Sequence, residues 1–254
     1  MSGERLLLDS YLKTLKLPTM RAEYEALARQ CSQANAPYED FLQQLAELEV
    51  QRRTAVAIER RLKQAEFPMV KELSSYRFAD VPKLNQKYVL DLARCQFIES
   101  KTNLVISGPP GTGKTHLAIA FGRAACQRGY AVKFFTAARL VNTYLEARQE
   151  RTILKLEKTI RRCHLVIVDE LGYLPLDRMG AEHLFGFFSQ CYEQTSLIVT
   201  TNLPFADWPQ VLANDERLAG ALLDRLTHHV HILEIVGDSY RLKSSLERGK
   251  ERQE

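Results

Sequence analysis

Residues 103–116 read NLVISGPPGTGKTH. A short apolar run, NLVIS at 103–107, turns through GPPGTGKT at 108–115 and continues into the apolar-striped run HLAIAFGRAACQRG at 116–129. The middle part satisfies G-x-x-x-x-G-K-[ST] in the strand–loop–helix setting that this pattern requires. Glycines at 108, 111 and 113 let the backbone curl, so that its N–H groups converge on phosphate oxygens. The helix that follows presents its positive N-terminal end to the same anion. The expected phosphate site takes in Gly108, Pro109, Pro110, Gly111, Thr112, Gly113, Lys114, Thr115 and His116. Lys114 is placed to reach the β- and γ-phosphates, and the Thr115 hydroxyl to ligate Mg²⁺. A chance glycine-rich turn would not come with this strand before it and this helix after it. The expected ligand is a nucleoside triphosphate.

Two further apolar runs lie downstream. HLVIVDE at 164–170 ends in Asp169 and Glu170, two carboxylates at the carboxyl edge of a sheet, where ligands bind. Asp169 is expected to hold Mg²⁺ through water, and Glu170 to orient and activate an attacking water. The second carboxylate favours hydrolysis over phosphoryl transfer to a small acceptor. SLIVTTN at 196–202 ends in Asn202, which can position the same water from the adjacent strand. These runs lack polar alternation, which suits strands covered on both faces. They alternate with helical stretches, which argues for a parallel α/β sheet.

The first third reads differently. After Gly3 there is no glycine until Gly108, so this part is expected to be mainly helix. Between Pro37 and Pro68 one amphipathic helix is expected, with Tyr38, Phe41, Leu42, Leu45 and Leu48 on one stripe. Charges over residues 1–76 balance at eleven of each sign, as in a small interaction domain. At 45% hydrophobic and 26% charged, the whole chain has ample material for a core and is not of disordered composition. No apolar run approaches the length needed to span a bilayer, and charges at Asp9, Lys13 and Lys16 interrupt the N-terminal leucines as no signal peptide would. The five cysteines form no CxxC pair, which points away from a metal knuckle or disulfide framework. The expected setting is cytoplasmic, away from membranes. Histidines at 228, 229 and 231 lack neighbouring acidic or cysteine ligands, so a zinc site is not expected there.

GPPGTGKTH, LVIVDE, TTN, LLDRL and DSYRL together resemble the AAA+ ATPases over roughly residues 76–245. Within them the sequence is similar to the DnaC-like branch and closest to the IstB-like group, helpers of insertion-sequence transposases. The phrase VDELGYLPLDRMGAEHLF is especially characteristic of that group. The resemblance implies an α/β fold: an AAA+ P-loop NTPase core with a parallel five-stranded sheet, preceded by a small all-helical N-terminal domain. The expected division is residues 1–75 for helical interaction and oligomerisation, 76–245 for the ATPase domain and 246–254 for a basic tail. The resemblance also implies that Arg225 in LLDRL is a finger acting on ATP held by a neighbouring subunit, with Arg217 as its rival. Arg241 in DSYRL corresponds to a second sensor that reaches the γ-phosphate within its own subunit. The expected catalytic set is therefore Lys114, Glu170, Asn202, Arg225 and Arg241.

The chain's formal net charge is +4, and residues 136–163 alone carry seven Lys or Arg against three Glu. The surplus thus lies in one segment, where the length between Ala137 and His164 accommodates two helices broken around Gln149 to Thr152. The AAA+ initiator and helicase-loader branch carries an extra helix here, facing nucleic acid. By that resemblance Arg139, Arg148, Arg151, Lys155, Lys158, Arg161 and Arg162 are expected to bind DNA phosphates without sequence preference. Lys155, Lys158 and Arg162 fall on one helix face. The expected function is an ATP- and Mg²⁺-dependent regulator of transposition, oligomeric on duplex DNA and working with a cognate transposase. The alternative is a DnaC-like replicative helicase loader.

Overall fold

A computed structural model describes residues 3–237, with side chains from Leu6 onward. The chain forms two compact units, Met1–Arg60 and Arg61–Glu254. The first is helical: α1 (Gly3–Thr14), α2 (Pro18–Gln33) and most of α3 (Tyr38–Ala65). Its core is small, with Leu27, Cys31 and Leu45 buried and Met20, Tyr24, Ala36 and Phe41 packed against them. Pro18 begins α2, where its missing N–H costs nothing, but the preceding Leu17 has no side chain able to cap. Glu49 of α3 supplies the cap instead. Its Oε2 accepts from the backbone N–H groups of Thr19 (2.8 Å) and Met20 (3.0 Å), and its Oε1 from Arg53 Nε (2.8 Å). The stripe expected on α3 is only partly buried. Phe41 and Leu45 face inward, whereas Tyr38 and Leu42 are exposed, because α2 covers only a narrow strip of a long helix.

The second unit carries a five-stranded, fully parallel sheet in the order β2-β3-β4-β1-β5. The strands are β1 (Asn103–Ser107), β2 (Val132–Thr136), β3 (Leu165–Leu171), β4 (Ser196–Thr201) and β5 (Val230–Glu234). Two short helices, α4 (Gln86–Leu92) and α5 (Gln96–Glu99), precede β1. The crossovers are α6 (Lys114–Gln127), α7 (Ala137–Gln149) with α8 (Ile153–Arg161), α9 (Arg178–Cys191), and α10 (Trp208–Val211) with α11 (Glu216–Thr227). Alternate strand residues face opposite layers. Leu104, Ile106, Ile167 and Ile198 pack with Leu117 and Phe121 of α6. Val105, Val166, Val168 and Val199 pack with Leu140, Phe187 and Leu222 from the helices of the other face. Burial on both faces is why the strands read as unbroken apolar runs.

Residues 61–75 group with the sheet rather than with the first sixty, so the units part fifteen residues before the expected boundary at 75. The reason is packing. Ala65 is fully buried in the core on the α6 side, Phe67 lies edge-on to Phe134, and Glu72 pairs with Arg123 of α6. The two-helix crossover also forms, with α7 ending at Gln149 and α8 starting at Ile153. Arg151 takes a left-handed conformation (φ 57°) in the break.

Candidate nucleotide-binding site

The phosphate loop joins the end of β1 to the start of α6, with Gly108, Gly111 and Gly113 at φ 147°, 81° and 90°. Gly108 has no room for a side chain, since a Cβ there would lie 2.3 Å from the Ile235 carbonyl oxygen. At Gly113 it would meet the Tyr76 ring at 2.8 Å. The Lys114 ammonium donates to the carbonyls of Gly108 (2.7 Å) and Pro109 (2.8 Å), arching over the loop. The Thr112 hydroxyl donates to Pro109 O at 2.8 Å and closes the turn from within.

Across the loop, the Thr115 hydroxyl donates to Asp169 Oδ1 at 3.0 Å. The buried Thr200 hydroxyl donates to the same oxygen. Burial pushes the Asp169 carboxyl above its ordinary range; the two hydroxyls oppose that shift and the neighbouring Glu170 charge adds to it. The Thr115 and Asp169 oxygens are hard donors set side by side, a combination that suits Mg²⁺ better than a thiolate- or imidazole-preferring metal. Glu170 is exposed and has a left-handed backbone (φ 60°) at an irregularity in the β3–β4 register. Asn202 directly follows β4, is exposed, and occupies the edge between the phosphate loop and the end of β3, because β4 lies between β1 and β3.

The remaining expected residues are dispersed. His116 lies in the first turn of α6, but its Nε2 is within 2.9 Å of the Glu72 carbonyl oxygen and its ring sits edge-on to Tyr76. Burial, foremost, holds its pKa below the usual imidazole value. Arg225, in the last turn of α11, donates to Ala221 O at 2.7 Å and lies over the Phe185 ring at 4.9 Å. This end of α11 lies at the opposite edge of the sheet from the phosphate loop. The next residue, Leu226, accepts through its carbonyl a 2.9 Å hydrogen bond from Asn103, the first residue of β1. Arg217 is exposed in the first turn of α11. Arg241 and residues 246–254 lie outside the described residues.

On the two-helix crossover, Arg139 pairs with Glu66 at 2.7 Å and Arg148 Nη1 lies 3.7 Å from Met179 Sδ. Arg151, Lys155, Lys158, Arg161 and Arg162 are exposed and make no ion pair among the described residues. Ile160 is buried, and Ile153 and Leu156 pack beside it on the inner face of α8. Two site residues escaped the sequence reading. Thr200 was hidden among three consecutive polar residues at a strand exit. Tyr76 lies far upstream of the loop it supports, donating to Thr112 O at 3.3 Å, with burial pushing its pKa up to about 12.

A glycine-lined loop opening a helix, a hydroxyl–carboxylate pair beside it and the strand order β2-β3-β4-β1-β5 define a P-loop NTPase core of AAA+ type. The profile of the IstB-like ATP binding protein family matches residues 10–248, and the chain belongs to that family. It is 38% identical over 242 residues to the IS21 insertion-sequence ATP-binding protein of Pseudomonas aeruginosa, covering 95% of this chain and 91% of that one. Identity is also 38% over 239 residues with the IS5376 counterpart of Geobacillus stearothermophilus, covering 93% and 94% respectively. Among solved structures, replication initiator DnaA bound to AMPPCP and single-stranded DNA aligns with a TM-score of 0.56 at 24% identity, over 73% of this chain and 56% of that one. DnaI aligns with a TM-score of 0.55 at 16% identity, over 71% and 98%. These structural likenesses concern the fold. No helix of the described residues is long and apolar enough to cross a membrane.

Proposed function

We propose that this ATP-binding chain hydrolyses ATP with Mg²⁺, assembles as a homo-oligomer on duplex DNA and prepares that DNA for a partner transposase. The observation that carries the reading is the nucleotide edge itself, where exposed Glu170 stands beside the Thr115–Asp169 pair. On this reading the loop N–H groups and Lys114 bind and orient the β- and γ-phosphates. Thr115 and Asp169 hold the cation, which when bound would offset negative charge on the phosphate oxygens. Glu170 takes the proton of the attacking water, and Asn202 helps to orient it. Arg225 is too far from its own phosphate loop to serve it, because five residues of β1 (about 13 Å) separate the two edges. It would therefore complete the site of a neighbour, which is the support for an oligomer.

The DNA part rests on the exposed cations of α8, which no acidic side chain among the described residues neutralises. The insertion-sequence names of the relatives support a transposase as partner. A helicase loader remains the second reading, favoured by the fold likeness to the DnaC helicase loader, which aligns with a TM-score of 0.50 at 21% identity. The test is ATP turnover with and without Mg²⁺, measured with long duplex and with single strands. Stimulation by duplex supports the transposition reading; stimulation by single strands alone favours the loader; no turnover under any condition overturns both.

A further inference from the structure

Between the pairs Val168–Val199 and Leu171–Thr201, β3 contains two residues, Asp169 and Glu170, while β4 contains only Thr200. This is a β-bulge, a device that re-aims a side chain and is unusual in a parallel pair. Its cost is twofold. Glu170 must hold a left-handed backbone (φ 60°), which a residue with a Cβ adopts only when its surroundings insist. Its N–H also loses the ladder acceptor that a regular strand would give it.

One side chain takes up the displaced N–H and so holds the bulge in place. The Thr200 hydroxyl oxygen accepts the Glu170 N–H at 2.9 Å. Because that oxygen accepts a hydrogen bond from one side, its own O–H is free to point elsewhere, and it donates a hydrogen bond to Asp169 Oδ1. That oxygen also accepts from Thr115 at 3.0 Å. Thr200 is 1% exposed, so water does not compete for these contacts.

We propose that Thr200 is a positioning residue for hydrolysis: its single hydroxyl pins the bulge that aims Glu170 and locks Asp169 against Thr115, without touching the nucleotide. This rests on the hydrolytic reading given above. A threonine kept only for strand packing would be replaced by valine without loss, since valine keeps the β-branch and nearly the same volume. A hydroxyl kept for its two bonds would not.

The experiment compares the full chain with Thr200→Val and Thr200→Ser, reading steady-state ATP turnover and, separately, the affinity for a fluorescent ATP analogue. Thr200→Val is expected to lower kcat roughly 10- to 100-fold while analogue affinity stays within about threefold, the pattern of a group whose effect is confined to the reaction step. Thr200→Ser, which restores the hydroxyl, is expected to recover kcat to within about threefold of the parent. A valine variant that turns over ATP like the parent, or one whose affinity and kcat fall in parallel, overturns the proposal. Hydrogen exchange at the Glu170 amide of the unaltered chain supplies a reading independent of any variant's folding. Protection supports the contact, and exchange at the rate of an open loop overturns it. Absence of turnover by the unaltered chain defeats the hydrolytic reading itself; turnover with an unaffected valine variant defeats only the role of Thr200.

Discussion

At the scale of single residues, the nucleotide edge depends on side chains whose identity was legible and whose aim was not. Glu170 follows Asp169 at the end of an apolar run, so a second carboxylate at the ligand edge is readable directly from VDE. In an unbroken strand, however, neighbouring side chains point to opposite faces, and only the bulge turns Glu170 away from that pattern. A bulge depends on the register against a partner distant in sequence, so no local pattern announces it. Glu170→Gln is expected to bind ATP as the parent does and to lose turnover by ~10²-fold or more, as removal of a general base does. Isothermal titration and single-turnover hydrolysis read the two halves of that expectation. Gly113→Ala tests the loop from the other side. At φ 90°, with the Tyr76 ring 2.8 Å from the added methyl group, it is expected to lose nucleotide affinity outright. An alanine variant with parental affinity would mean that the loop does not keep this shape when ATP is bound.

At the scale of elements, two helices carry the testable claims. Glu49 caps α2 from α3, so Glu49→Ala is expected to weaken the first unit by about 1–2 kcal/mol, the usual worth of a lost cap. Denaturant unfolding followed on α2 measures this. Burial alone would raise the Glu49 pKa, but the N–H groups of Met20 and Thr19 and the Arg53 guanidinium outweigh it and hold the value below 4.5. A carboxyl lowered by folding contributes stability above its unfolded pKa and loses it as pH falls through the folded value. Amide protection in α2 is therefore expected to hold at neutral pH and to decline below about pH 4.5. Replacing Lys155, Lys158 and Arg162 together by alanine is expected to reduce duplex affinity and to lower the salt slope by about 2–3. An unchanged slope, measured by fluorescence anisotropy against salt, returns α8 to a solvated charged face. The α7–α8 break was legible from segment length and charge, and the structure has it at residues 150–152. The α3 stripe was less so, because periodicity marks what could be buried, while the width of the neighbouring helix decides what is.

At the scale of the whole molecule, the alternation of apolar runs with helical stretches was enough to give the parallel sheet, since burial on both faces leaves no other reading of such strands. The division between the units was not, because the last turn of α3 and the segment after it join the second unit through particular contacts, such as buried Ala65 and the Glu72–Arg123 pair, that composition does not reveal. If Arg225 serves a neighbour's nucleotide, a mixture of Arg225→Ala and Glu170→Gln chains is expected to regain part of the turnover that each lacks alone. Some sites would then pair an intact Glu170 with an intact Arg225, and a mixture as inactive as its parts would refute action between chains. The contact that ties Leu226 to Asn103 gives this prediction a geometric corollary. A surface at one edge of the sheet that completes a site at the other is not self-complementary, so copies joined through it stack head to tail. Such a stack closes into a ring only if its rotation allows; otherwise it stays open, and one terminal chain always holds a site that nothing completes. Turnover per chain in an open stack must then climb with concentration as the stacks lengthen, whereas a closed ring would switch on as a unit.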